Sequence, residues 1–299
     1  MKFLKRAVIA VAVIGILFGG FKVYFEAMPT ANSRFMISSR SGKEFYLTAH
    51  RGLSGIAPEN TCQAISEAGK AGYYAAEFDI MPTKDGVWVL MHDDTVDRMT
   101  DGTGEVSSFT YEELLKLKID SGNGIENYPK LRINTLEEAL LKCEDYSMRA
   151  MIEIKGGEPE QMAQVLEIVE AANLKTEPLI IDFDSERLEE LRALDGDMEL
   201  WYLVSKIDEE DIDFAKQHNT ALAFNFGKIR NYGMLSDAKN AGIKLAAWTV
   251  DILPVADFLI SIGVNYITTN RILPETYSKQ PVESTGCLLL LISNYLKKI

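Results

Sequence analysis

The sequence predicts an α/β fold, a (β/α)8 TIM barrel with a small insertion after its second strand and hairpin, preceded by an N-terminal membrane-spanning segment. Three observations carry this. Short β-rich runs alternate with helical patterns from residue 45 onward, one link between two runs is too short for a parallel crossover, and an apolar run lies behind basic residues at the N-terminus.

Lys2, Lys5 and Arg6 precede Ala7 to Phe21, an unbroken stretch of apolar residues and glycine that Val23, Tyr24 and Phe25 extend past Lys22. Spanning the hydrocarbon core takes about 20 such residues. The count to Phe25 approaches this if Lys22 snorkels, and no clean small-x-small cleavage site follows. Residues 1–33 are therefore expected to be a signal anchor and linker, a single pass with the folded domain outside the cytoplasm. Secretion after signal cleavage is the alternative.

The strand candidates are Phe45 to Ala49, Ala75 to Ile80, Val87 to Met91, Ala150 to Ile154, Leu179 to Phe183, Leu200 to Val204, Ala221 to Phe226, Leu245 to Val250 and Tyr266 to Thr269. Between them, Asn60-x-x-Gln63 and Thr135-x-x-Glu138 read as capping boxes, and Leu188, Leu191 and Leu194 are expected on one helix face. Strand and helix in alternation imply a mostly parallel sheet. A parallel crossover needs a dozen or more residues, so the short link from Ile80 to Val87 must be an antiparallel hairpin, with turn chemistry from Lys84-Asp85-Gly86. Removing the returning strand leaves eight. The barrel domain is expected over residues 43–279. Within it, residues 94–134 break the rhythm with Gly102, Gly104, Gly122 and Gly124 around a short helix capped by Thr110-x-x-Glu113, and read as an insertion above the barrel mouth. Tyr111 in that insertion is placed either on the substrate pocket or in packing. Residues 280–299 form a tail whose apolar stretch Cys287 to Leu291 is too short to span a bilayer.

A net charge of −13 and a pI near 4.8 argue against a nucleic-acid partner, which usually calls for a basic face. A phosphate-bearing substrate would then need a bound cation to help hold it. The three cysteines, Cys62, Cys143 and Cys287, show neither a disulfide framework nor a zinc spacing.

Barrel enzymes carry their chemistry at the C-terminal ends of the strands, and His50, Asp79, Glu153, Lys155 and Trp248 lie at or near such ends. Of only three histidines, His50 and His92 sit at strand ends among polar residues, suited to acid and base work. An even-numbered hairpin loop would set Glu77 or Asp79 directly opposite His92, with all three on one face. Two carboxylates at i and i+2 inside a closed barrel are costly as bare charges, so Glu77 and Asp79 read as ligands of a hard divalent cation, Mg²⁺ or Ca²⁺. The bland alternative turns them outward. Glu153 repeats the pattern as a third ligand, with Lys155 facing a phosphate; an internal salt bridge is the alternative. Arg51 is placed to grip a phosphate bidentately, or else to form a salt bridge at the rim.

His50-Arg51-Gly52, Pro58-Glu59-Asn60-Thr61, Glu77-x-Asp79, Thr83-Lys84-Asp85-Gly86, His92-Asp93, Glu153-Ile154-Lys155 and Trp248-Thr249-Val250 together resemble, in order and spacing, the glycerophosphodiester phosphodiesterases. The likeness covers nearly all of residues 45–275. It implies cleavage of a small-molecule or lipid-derived glycerophosphodiester to an alcohol and sn-glycerol 3-phosphate, with His50 and His92 as the acid and base pair. It implies Glu77, Asp79 and Glu153 as metal ligands, and Arg51 and Lys155 as phosphate contacts. Glu59 and Asn60 become supporting polar groups at the substrate site, and Trp248 a wall of the alcohol pocket. In the family the glycerol 2-hydroxyl attacks phosphorus to give a cyclic phosphate that water opens. Tyr73-Tyr74 and Thr269-Asn270-Arg271 depart from the usual pattern, the second standing where Thr-Asp-x-Pro is frequent; both are expected to bear on packing and to touch no catalytic group. Rival readings are a lysophospholipase D or phospholipase C-like enzyme acting on lipids at the membrane, and an anchored, non-catalytic module that binds glycerophosphate polymers.

Overall fold

The computed structural model describes residues 45–229 and 231–277. The expected anchor at 1–33 and the tail at 280–299, Cys287 included, lie outside the described residues. Among the described residues no helix is long and apolar enough to cross a membrane.

All nine expected strands form: β1 (Tyr46–Ala49), β2 (Ala75–Pro82), β3 (Trp88–Leu90), β4 (Arg149–Ile154), β5 (Leu179–Asp182), β6 (Glu199–Val204), β7 (Ala221–Asn225), β8 (Leu245–Trp248) and β9 (Tyr266–Thr269). Eight of them pair in parallel as a closed ring, β1 to β2, β4 and so on through β9 and back to β1, while β3 pairs antiparallel with β2. The main helices are α1 (Cys62–Ala71), α2 (Tyr111–Leu114), α3 (Leu136–Glu144), α4 (Met162–Ala171), α5 (Ser185–Leu194), α6 (Glu209–His218), α7 (Tyr232–Asn240) and α8 (Leu253–Ser261).

Alternation along each strand divides the packing into two layers. Phe78, Ile80, Ile152, Ile154, Ile180 and Leu200 pack outward against the helices. Met151, Ile181, Trp201, Leu203, Ala223 and Ala246 point into the barrel. Tyr46, Tyr74, Tyr266 and Trp201 close its floor in ring contacts of 4.4–6.1 Å. Tyr74 therefore serves packing, as expected.

Helix starts follow side-chain chemistry. The boxes at Thr110/Glu113 and Thr135/Glu138 are complete, each hydroxyl accepting from the N3 amide and each glutamate accepting in return. At α1 the expectation shifts by one residue: Thr61, not Asn60, is the N-cap, its hydroxyl accepting from the Ala64 amide. On α5, Leu188 and Leu191 are buried but Leu194 is 46% exposed. Each step of three residues turns about 60° short of a full helical revolution, so the third leucine rotates off the face.

The hairpin between β2 and β3 carries the main departure from expectation. Ile80 faces Leu90 and Pro82 faces Trp88, so even residues pair with even. The loop is odd: Thr83 N–H donates to Val87 O at 2.9 Å around Lys84-Asp85-Gly86, with Gly86 at φ 80°. A three-residue turn ending in a left-handed glycine is one of the favoured hairpin geometries. Asp79 accordingly lies beside Met91, whose amide donates to its carbonyl at 3.1 Å, and not opposite His92. The ladder stops at Leu90 and His92 leaves it. The inserted segment has its own small core, where Val96, Met99, Val106, Leu114, Ile119 and Ile133 cover Met81, Val89 and Met91. Tyr111 packs against this core and is not on the pocket.

Candidate active site

The hairpin explains how two histidines far apart in sequence meet. The first residues of β2 pair with β1, and the last pair with β3. β1 rises to end at Ala49, β3 descends to end at Leu90, and the chain ends converge at the barrel mouth. His50 and His92 both line a cleft there, with Arg51, Glu77, Glu153, Lys155, Phe183 and Trp248.

Local backbone sets the first of these. Arg51 and Gly52 take positive φ, 55° and 71°, in a turn whose amides reach Glu77: Arg51 N–H donates to Glu77 Oε2 at 2.7 Å and Gly52 N–H to Glu77 O at 2.8 Å. A side chain at residue 52 would put Cβ 2.6 Å from the Ala64 backbone, so only glycine closes the turn against α1.

Glu77, Asp79 and Glu153 are buried and each offers an oxygen within 4.8 Å of the others. Adjacent register places Asp79 beside Glu153 across β2 and β4. Glu77 Oε1 and Asp79 Oδ1 are buried with no hydrogen-bond partner. Burial, then Asp79 and Glu153 beside it, pushes the Glu77 carboxyl well above the usual carboxylate range. Burial and Asp79 likewise push Glu153 up to about 7, against the pull of Lys155, whose Nζ lies 2.7 Å from Glu153 Oε1. Orphaned oxygens and mutually repelling carboxylates fit a donor set for a cation, and an all-oxygen set suits a hard divalent one.

Glu59 and Asn60 lie behind the cleft and act through other residues. Asn60 holds Asp79 twice, Nδ2 donating to Oδ2 at 2.8 Å and Oδ1 accepting from the Asp79 amide at 3.0 Å. Glu59 accepts from Arg51 Nη1 at 2.8 Å and from Arg98 Nη2 at 2.7 Å. Arg98 also clasps Asp93, whose Oδ1 lies 2.7 Å from His92 Nδ1. Hydrogen bonds from Arg98 hold the Asp93 carboxyl down at about 2. One arginine of the insertion thus ties the His92 end of the site to the Arg51 end.

His50 Nδ1 lies 2.8 Å from Asn270 Oδ1. Residue 270 therefore does touch a candidate catalytic group, which corrects the expectation that the Thr269-Asn270-Arg271 departure concerns packing alone. Burial, with Arg51 alongside, lowers the His50 pKa and favours the neutral ring. Arg98, Asn270 and Asp251 are candidate site residues that sequence reasoning missed. Of their contacts with the other site residues, only that of Arg98 with Asp93 lies close in the chain. The mouth is completed by Phe183, 43% exposed, whose ring meets Trp248 edge-on at 5.7 Å.

Residues 50–273 match the profile of the glycerophosphoryl diester phosphodiesterase family. A glycerophosphodiester phosphodiesterase of Caldanaerobacter subterraneus is 32% identical over 233 residues, covering 76% of this chain and 94% of that protein. Human glycerophosphodiester phosphodiesterase 1 is 34% identical over 197 residues, 65% of this chain and 59% of the human protein. The matches to the mouse and rat proteins span about half of their length, 52%. A phosphodiesterase of Oleispira antarctica, solved in complex with the product sn-glycerol-3-phosphate, superposes with a TM-score of 0.72 at 29% identity, over 81% of this chain and 98% of that one.

Proposed function

The chain belongs to the glycerophosphoryl diester phosphodiesterase family, and on that premise we propose that it hydrolyses glycerophosphodiesters to an alcohol and sn-glycerol 3-phosphate. The observation that carries this reading is the convergence, at one cleft, of two histidines, two cationic side chains and two carboxylates that form a trio with buried Asp79 behind them, Glu77 and Asp79 having orphaned oxygens. The product bound in the Oleispira relative supports the same substrate class.

In this reading Glu77, Asp79 and Glu153 hold one divalent cation, Mg²⁺ or Ca²⁺. Bound there, the cation supplies charge that neutralises the phosphate oxygens. Arg51 and Lys155 reach the same phosphate from the two sides of the trio, and burial does not neutralise them: Asp79 and Glu59 outweigh it at Arg51, and Glu153 and Asp79 outweigh it at Lys155. Of His50 and His92, one takes a proton from the glycerol 2-hydroxyl as it attacks phosphorus and the other gives one to the leaving alcohol. Water then adds to the resulting cyclic phosphate, the P–O2 bond breaks with the proton returned to O2, and sn-glycerol 3-phosphate is released. Asn60 keeps Asp79 aligned, and Glu59 and Arg98 keep Arg51 and Asp93 in place. Phe183 and Trp248 face the departing alcohol. The basic and apolar N-terminal run supports an enzyme anchored on the outer face of the cell membrane, or secreted; protease accessibility on intact cells separates either from a cytoplasmic enzyme.

The test is an assay of the full-length chain on glycerophosphocholine, glycerophosphoglycerol and a lysophospholipid, in EDTA and with Mg²⁺ or Ca²⁺ restored. Release of glycerol 3-phosphate that requires the added ion is expected. Undiminished activity in chelator would sink the metal assignment, and unchanged rates in His50→Ala and His92→Ala the acid and base assignment. Turnover of the lysophospholipid alone would favour the lipid-directed reading.

A further inference from the structure

The surroundings of Asn270 can be accounted for atom by atom. The Asp251 carboxylate accepts three hydrogen bonds: from Thr269 Oγ1 at 2.9 Å, from the Asn270 backbone amide at 2.7 Å, and from Asn270 Nδ2 at 2.6 Å. Thr269 Oγ1 in turn accepts from the amides of Arg271 and Ile272, so its own proton is committed to Asp251. The nitrogen end of the Asn270 side chain therefore has to face Asp251. Its oxygen end then faces His50 Nδ1 at 2.8 Å and also accepts from Ser54 Oγ at 2.9 Å. An oxygen with both lone pairs engaged this way requires a proton on Nδ1. That leaves Nε2 as the ring nitrogen able to exchange a proton at the cleft.

We propose that Asn270 is a positioning residue which, locked in one amide orientation by Asp251, holds His50 in the Nδ1-protonated tautomer and so assigns proton transfer to Nε2. The inference rests on the reading of His50 as an acid-base group. An asparagine can present either end to its neighbour, and only the carboxylate behind it decides which. Asp251 thus acts on His50 without touching it.

Two variants of the full-length chain test this. In Asp251→Asn the lock is gone, the Asn270 amide is free to turn its nitrogen toward His50, and the ring shifts to the Nε2-protonated form. We expect kcat to fall by roughly 10- to 100-fold, the scale on which outer partners of functional histidines act, with KM changed by no more than about 2-fold, since the fall is confined to proton transfer. The ring ¹⁵N resonances of His50 should report the change of tautomer directly. In the exchanged pair Asn270→Asp with Asp251→Asn, the residue facing His50 accepts through either oxygen and needs no lock, so most of the lost kcat and the original tautomer should return. Unchanged kcat and ¹⁵N pattern in Asp251→Asn, or a double variant no better than the single one, would overturn the proposal. His50→Ala separates the two levels. Retained activity there defeats the catalytic reading of His50, whereas abolished activity beside an indifferent Asp251→Asn defeats the positioning role alone.

Discussion

Removing the cation and raising the pH should destabilise this protein together, through Glu153. Its carboxyl stands at about 7 in the folded chain against an ordinary 4.5, chiefly because burial, and then Asp79, penalise the charged form. Below pH 4.5 the folded and unfolded chains both hold the proton and the folded state suffers no penalty. As pH rises toward 7 the unfolded chain releases its proton first, so stability falls, and above 7 the whole difference has been lost. A rise from 4.5 to about 7 is worth about 3 kcal/mol, at roughly 1.4 kcal/mol per pH unit. For a domain of this size that corresponds to a drop in Tm on the order of 10 °C. A divalent cation in the trio replaces the proton, so the loss should appear in EDTA and vanish with saturating Mg²⁺ or Ca²⁺, and cation affinity should rise through the same pH window. Thermal unfolding followed by circular dichroism from pH 4 to 8, for the natural chain and for Glu153→Gln, measures the effect. The variant cannot titrate at that position. Parallel Tm profiles for the two proteins in EDTA would refute the reasoning.

Three further outcomes follow from single contacts. Asn60→Leu leaves the Asp79 amide and Oδ2 without their 3.0 Å and 2.8 Å partners in a buried site, so we expect a loss of about 2–4 kcal/mol in chemical denaturation and weaker cation binding by calorimetry. Gly52→Ala forces a Cβ to 2.6 Å from the Ala64 backbone at φ 71°; it should cost more than about 1 kcal/mol and abolish turnover, and an active, equally stable variant would show that the turn can yield. Phe183→Ala removes one of the two rings at the mouth; relative kcat/KM among glycerophosphodiesters with different alcohols should change while the response to EDTA does not.

How much of this was legible in the chain depends on the distance over which each fact is encoded. Strands β4 and β5 are mostly apolar runs, and the short link after β2 forces an antiparallel return, so eight barrel strands and one hairpin follow from local chemistry. The trio was legible for the same reason: Glu77 and Asp79 alternate with residues that pack outward, and Glu153 lies one parallel strand away. The parity of the hairpin loop was not, because Thr83 to Val87 closes equally well in principle around an even or an odd number of residues. Only the packing of Trp88 and Leu90 into the outer core, with Val89 and Met91 under the insertion, selects the odd one. The correction still brings His92 to the site, by a different route: β3 ends early and delivers it beside the end of β1. Least legible were partnerships across the closure of the barrel. His50 and Asn270 are separated by 220 residues and meet because β1 and β9 are neighbours in the closed ring. A residue beside the last strand can therefore decide the protonation pattern of one beside the first, and no reading confined to segments reaches it.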